Sequence, residues 1–200
     1  MDVRQLRPGL WRWVAPHPEW EAGMHWPQQV GSVYAEFPDA LVVIDPQVPG
    51  DESEAFWAAL DRDVARLERP VQVVLTVHWH ERSVDELLDR YDAKLWRPEQ
   101  PTELPAGIRA ELVEGADWVE AMFYLEPWHA LAVGDLLIGD DEGGIRVPVS
   151  WFPKEEQDWA RQGLKERLRV LLDLPIELVL VSHGEPVLEN GHAALERALA

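Results

Sequence analysis

Residues 9–14 (Gly-Leu-Trp-Arg-Trp-Val) alternate apolar and polar positions, the pattern of a half-buried strand. A loop punctuated by Pro16, Pro18, Gly23 and Pro27 follows and carries His17 and His25. Residues 30–37 read as a second strand and, past the Pro38-Asp39 turn, residues 40–45 as a buried third. The short turn predicts an antiparallel hairpin. Asp51, Ser53 and Glu54 open a helix to about Leu67, with Phe56, Ala59, Leu60, Val64 and Leu67 on one face and Pro70 as its stop. Residues 73–80 are β-branched and apolar and end in two histidines one residue apart. As a buried strand, the run would project His78 and His80 to one side and Trp79 to the other. Ser83-Val-Asp-Glu86 is a capping box for a short helix through Tyr91, and residues 93–96 form another short strand.

The pattern then returns to strands. Residues 108–113, 121–125, 130–133 and 136–138 are separated by turn signals at Gly115, Glu126-Pro127 and Gly134-Asp135, which predicts an antiparallel meander. A carboxylate-rich loop, 139–144, leads towards one long amphipathic helix over 155–172. The apolar strand 177–182 delivers His183-Gly184, and Asn190 is the expected N-cap of a terminal helix. Blocks of strands followed by helices fit an α/β (α+β) arrangement of sheets packed face to face between outer helices, with all 200 residues in one domain.

Composition narrows the chemistry. A net charge of −19 disfavours nucleic acid and anionic membranes as partners, since phosphate binding relies on Lys and Arg. Without cysteine, any metal must be held by His and carboxylates. The start, Met1-Asp-Val-Arg-Gln-Leu-Arg, is charged and unlike a secretory signal, and no apolar run is long enough to span a membrane, so a soluble cytoplasmic protein is expected. Eleven tryptophans read mostly as core or pocket wall. Oligomeric state is not legible.

Three strand ends carry potential ligands: His78 and His80, then Asp140, then His183. Their order, across nearly the whole chain, resembles the metallo-β-lactamase superfamily. Leu41-Val-Val-Ile-Asp45 is similar to that family's early strand ending in Asp. Thr76-Val-His-Trp-His-Glu-Arg-Ser83 stands where it has Thr-His-x-His-x-Asp-His, with Val77 one residue extra. Leu136-Leu-Ile-Gly-Asp140 resembles its Leu-Phe-x-Gly-Asp, and Val179-Leu-Val-Ser-His183-Gly184 its terminal strand and His-Gly. The resemblance implies a four-layer αββα sandwich and a hydrolase acting on a small ester, thioester or lactone. Asp45 would be a structural hydrogen-bond acceptor, and His17 and His25 would lie near the site mouth.

The departures matter as much. Arg82 and Ser83 replace the family's Asp and second His, and Ala116, in Glu114-Gly-Ala-Asp117, falls where a third ligand histidine belongs. A two-metal site is not expected, because Arg82 would put a cation at the second position. One Zn, Fe or Mn ion at His78, His80 and Asp140, with His183 as fourth ligand or support, is the first expectation, with Glu81 as a candidate base beside Asp140. A metal-free pocket closed by an Arg82–Asp140 ion pair is the alternative. That would make the protein a non-catalytic relative binding a small ligand or a protein partner. Asp117, His129 and His192 read as capping, turn and surface residues.

Overall fold

The computed structural model describes residues 2–115 and 117–200. Six strands form the first sheet in chain order: β1 (Asp2–Arg7), β2 (Leu10–Pro16), β3 (Gln29–Glu36), β4 (Leu41–Ile44), β5 (Val71–Val74) and β6 (Lys94–Trp96). The first four run antiparallel to their neighbours, whereas β4, β5 and β6 are mutually parallel. The parallel crossovers contain α1 (Ser53–Leu67) and α2 (Val84–Tyr91), as parallel pairing requires. The second sheet joins β7 (Ile108–Glu114), β8 (Val119–Leu125) and β9 (Ala130–Val133) as three strands of the expected meander, whose fourth strand, 136–138, leaves this sheet. A small hairpin, β10 (Ile138–Gly139) with β11 (Ile145–Arg146), and helices α3 (Gln157–Arg161) and α4 (Gly163–Leu168) precede β12 (Leu178–Val181), which adds parallel to β9. Helix α5 (Gly191–Ala198) ends the fold.

Period-two alternation sorts each strand into two cores. Val42 and Ile44 of β4, Ala121, Phe123 and Leu125 of β8, and Leu178 and Leu180 of β12 meet between the sheets. Their alternates turn outward. Leu41 and Val43 pack with Phe56 and Leu60 of α1 and Leu87 of α2. Met122, Tyr124, Val179 and Val181 pack under Leu164, Leu168 and Leu195 of the other helices. The result is the four-layer αββα sandwich.

Four local expectations differ. The strand at 73–80 ends at Val74, and His78–His80 form a 3₁₀ turn. Leu75 N–H still reaches Trp96 O, but the Asp45 carboxylate takes the Thr76 N–H (2.8 Å), which diverts the chain out of the sheet. Ser83 caps no helix, because its hydroxyl accepts the Val48 N–H instead (3.0 Å). The helix over 155–172 breaks at Gln162 (φ −126°), where the Trp159 ring lies so close to Gly163 that a Cβ there would sit 2.6 Å from it. Asn190 takes a left-handed conformation with no side-chain cap. Strand β1 is an unanticipated edge strand; its residues are exposed through Gln5, so it lacks the buried face that produces a visible pattern.

Candidate metal centre

Strand ends build the site. Val133 of β9 pairs with Val181 of β12 in a parallel register, so the chains leave the sheet together and Asp135 and His183 emerge two residues past the paired ends. Gly134 permits this exit: a Cβ there would lie 2.5 Å from Thr76 Oγ1. The two sheets are tied at the same edge. Gly31 N–H donates to Ser182 O (2.7 Å), Arg12 Nη2 donates to Val181 O and Gly184 O, and Ala121 N–H donates to Thr76 O. Gly184 (φ +85°) packs against the Gly139 backbone, which no side chain would allow.

His80 completes a triad. Its Nε2 and the Nε2 of His183 each lie 3.3 Å from Asp135 Oδ1. Neither contact has hydrogen-bond geometry, so Asp135 Oδ1 is buried without a hydrogen-bond partner. The three donor atoms fall within 4.8 Å of one another. A tetrahedral ion with bonds of about 2.0–2.1 Å sets its ligand atoms about 3.3–3.4 Å apart. Two imidazole nitrogens and a carboxylate oxygen at that spacing fit one divalent transition ion, with the cavity side left open.

Two of the three donor residues, His80 and Asp135, are held by further hydrogen bonds. His80 Nδ1 meets Asp45 Oδ2 (2.9 Å) and Thr76 Oγ1 (3.0 Å), and Thr76 Oγ1 in turn donates to Asp45 Oδ2 (2.6 Å). Asp45 is thus the structural acceptor that the resemblance implies, an arrangement that orients a metal-binding imidazole. Trp79 Nε1 donates to Asp135 Oδ2 (2.8 Å), turning Oδ1 towards the imidazoles. Buried Glu120 accepts the N–H groups of Asp135 and Leu136, one on each oxygen, and fixes the loop itself.

Of the four expected ligands, the structure brings His80 and His183 together and leaves His78 and Asp140 elsewhere. The His78 side chain is half exposed, with Nδ1 3.4 Å from Glu99 Oε1. It points away because the turn, unlike a strand, does not place alternate residues on one side. Asp140 folds onto its own loop, accepting the N–H groups of Glu142 (2.9 Å) and Gly144 (2.6 Å). Asp135, which reads in the sequence as half of a turn signal, supplies the carboxylate. Its signal was the apolar run 130–133 ending in Gly-Asp beside the strand that delivers His183. Glu81 is half exposed and pairs with Arg97. Arg82 forms no ion pair with Asp140. It is half-buried, with Nη1 donating to Gly31 O and Asp45 O and Nη2 to Ser182 Oγ (2.8 Å). His17 and His25 line the cavity, as does Asp117. Ala116 lies outside the described residues.

In whole-chain comparisons, a metallo-beta-lactamase from Pontibacter korlensis superposes with a TM-score of 0.59 at 16% identity, covering 99% of this chain and 98% of its own. Metallo beta lactamases from Erythrobacter litoralis (0.57, 15%, 98% and 89%) and Hirschia baltica (0.57, 14%, 99% and 95%) superpose similarly. The chain has the metallo-β-lactamase fold. No protein-family model matches it, and no curated protein matches it. Among the described residues no helix is long and apolar enough to cross a membrane.

Within the metallo-β-lactamase fold, this triad carries its own charge pattern. Burial and Arg82 pull the His80 imidazole down, but Asp135 and Asp45 outweigh them and push it up to about 9. Burial also lowers His183, and Asp135 only partly offsets this, so its lone pair is free at neutral pH. Burial opposes ionisation of Asp135, yet His80 and His183 hold it well below the usual carboxylate range. Burial and Asp135 push Glu120 up to about 8. A histidine raised above its unfolded value stabilises the fold below about pH 6.5 and loses that stabilisation as pH rises through 9. Glu120, raised from the ordinary carboxyl range, loses stabilisation in the same direction as it ionises. Metal-free protein should therefore lose stability steadily as pH rises from 6 to 10. Denaturation midpoints across that range check this, and His80→Gln should flatten the slope. A midpoint that rises with pH would refute the assignment.

Proposed function

We propose that the protein is a metal-dependent hydrolase of a small ester, thioester or lactone, using one divalent ion held by His80 Nε2, Asp135 Oδ1 and His183 Nε2. The observation that carries the reading is the buried Asp135 Oδ1, without a hydrogen-bond partner and 3.3 Å from two imidazole nitrogens. Such an N₂O donor set suits Zn, Fe or Mn. When bound, the ion supplies Lewis acidity towards a carbonyl oxygen. Asp45 and Thr76 orient His80, while Trp79 and Glu120 orient Asp135. Half-buried Arg82 keeps a fixed positive charge beside the triad, which opposes a second ion by Coulomb repulsion. Loading the ion displaces the His80 proton, so uptake strengthens with pH.

A metal-free ligand-binding protein is favoured by one feature, the charge balance that His80 and Asp135 reach without an ion. Metal analysis separates the two. Protein reconstituted with Zn, Fe or Mn in turn should retain one equivalent and hydrolyse p-nitrophenyl acetate, an acyl thioester or a lactone. His183→Ala should lose the metal, and kcat/KM should fall at least about 100-fold. Absence of retained metal with all three ions rejects the hydrolase.

A further inference from the structure

The cavity above the triad has features that hydrolysis alone leaves unexplained. It encloses about 490 Å³, the size class of small-ligand sites. Trp26 and Trp151 pack on His183 on one side, with ring centroids 5.7 and 5.1 Å away. Trp118 and Phe152, 6.3 Å apart, form another wall. His183 is 4% exposed, and its Nδ1 has no hydrogen-bond partner in this aromatic setting.

The charges lining the cavity are one-sided. Glu19, Asp117 and Glu156 face it, and among the described residues none of them has an ion-pair partner. Arg82 is its one lining Lys or Arg among those residues, and its terminal nitrogens are engaged by Gly31 O, Asp45 O and Ser182 Oγ. His80 is matched by Asp45 and Asp135. An anionic ligand would meet three unpaired carboxylates against the one guanidinium of Arg82, whose Nε is buried without a hydrogen-bond partner. A cation would meet an excess of carboxylates over guanidinium in a cavity lined by Trp26, Trp118, Trp151 and Phe152, ring types that attract cations. The net charge of −19 adds long-range attraction of the same sign.

We propose that this cavity binds an organic cation, a quaternary ammonium or protonated amine, as the remote end of the acyl substrate. That the cation is one end of a substrate rests on the hydrolase reading, whereas the cation site does not. Aromatic faces and carboxylates hold the charged end, and the reacting carbonyl lies towards His80, Asp135 and His183.

Titration calorimetry on metal-loaded and metal-stripped protein tests it with three probes of one shape: choline, its uncharged carbon isostere 3,3-dimethyl-1-butanol, and the anion 3,3-dimethylbutanoate. Choline should bind at least about ten-fold tighter than the alcohol in both preparations. Asp117→Asn combined with Glu156→Gln should weaken choline about five-fold and leave the alcohol unchanged. Equal binding of choline and the alcohol, preference for the anion, or no choline binding at millimolar concentration would each overturn the proposal. Choline selectivity in protein that retains no metal rejects the hydrolase and keeps the cation site. Metal retention without that selectivity does the reverse.

Discussion

Asp135→Asn should lower the affinity for the bound ion by more than about 100-fold, whereas Asp140→Asn and His78→Ala should each leave it within about three-fold. Asn keeps the size of the side chain and one carbonyl oxygen but removes the charge that attracts a dication. The charge matters here because the oxygen is buried and two imidazoles face it. At Asp140 the substitution is mild for a local reason: an amide oxygen can still accept the Glu142 and Gly144 N–H groups. Among the described residues, the His78 side chain meets Glu99 and the Trp79 ring. Competition against a chromophoric chelator measures all three. Loss of affinity in Asp140→Asn with retention in Asp135→Asn would sink the triad assigned here.

Asp45→Ala should destabilise the fold by about 3–5 kcal/mol, the cost of removing one partner from a buried charged network. One carboxylate receives the Thr76 N–H, the Thr76 hydroxyl and His80 Nδ1. Its loss strands a backbone donor that no water reaches and leaves a buried imidazolium with one carboxylate fewer. Asp45 also adopts φ 47°, where alanine is strained. Urea unfolding should show a midpoint lowered by more than about 1 M at an unchanged slope. A shift below about 0.3 M would show that the contacts are not coupled to folding.

The layers of the fold were legible because alternation along β4, β8 and β12 records which face each residue covers. Val42 and Ile44 against Leu41 and Val43 is such a record. The site was half legible. His183 follows an uninterrupted apolar strand and Asp45 follows another, so both were visible as polar residues at sheet edges. His78 and Asp140 drew attention by spacing, but spacing transfers to space only where the backbone is regular. A 3₁₀ turn occupies 78–80, and a tight loop encloses Asp140. Asp135 was hidden for the opposite reason: Gly-Asp after a strand is ordinary turn chemistry. The parallel pairing of β9 with β12, which gives that dipeptide its meaning, joins segments nearly fifty residues apart. Glu120 was hidden by its strand, where a charged residue reads as solvent-facing. Here it is 1% exposed, with its oxygens taken by two backbone N–H groups.

The matched exit of Asp135 and His183 from adjacent parallel strands has a consequence for how such a centre changes over time. Neighbouring strands lie about 4.8 Å apart throughout any sheet. The spacing at which these two residues leave the sheet is therefore inherited from backbone pairing, and Gly134 and Glu120 hold the loop just beyond it. The remaining donor comes from a turn, where an inserted residue can exchange one histidine for another. A centre divided in this way can lose or replace ligands on its turn side while its strand-borne half persists.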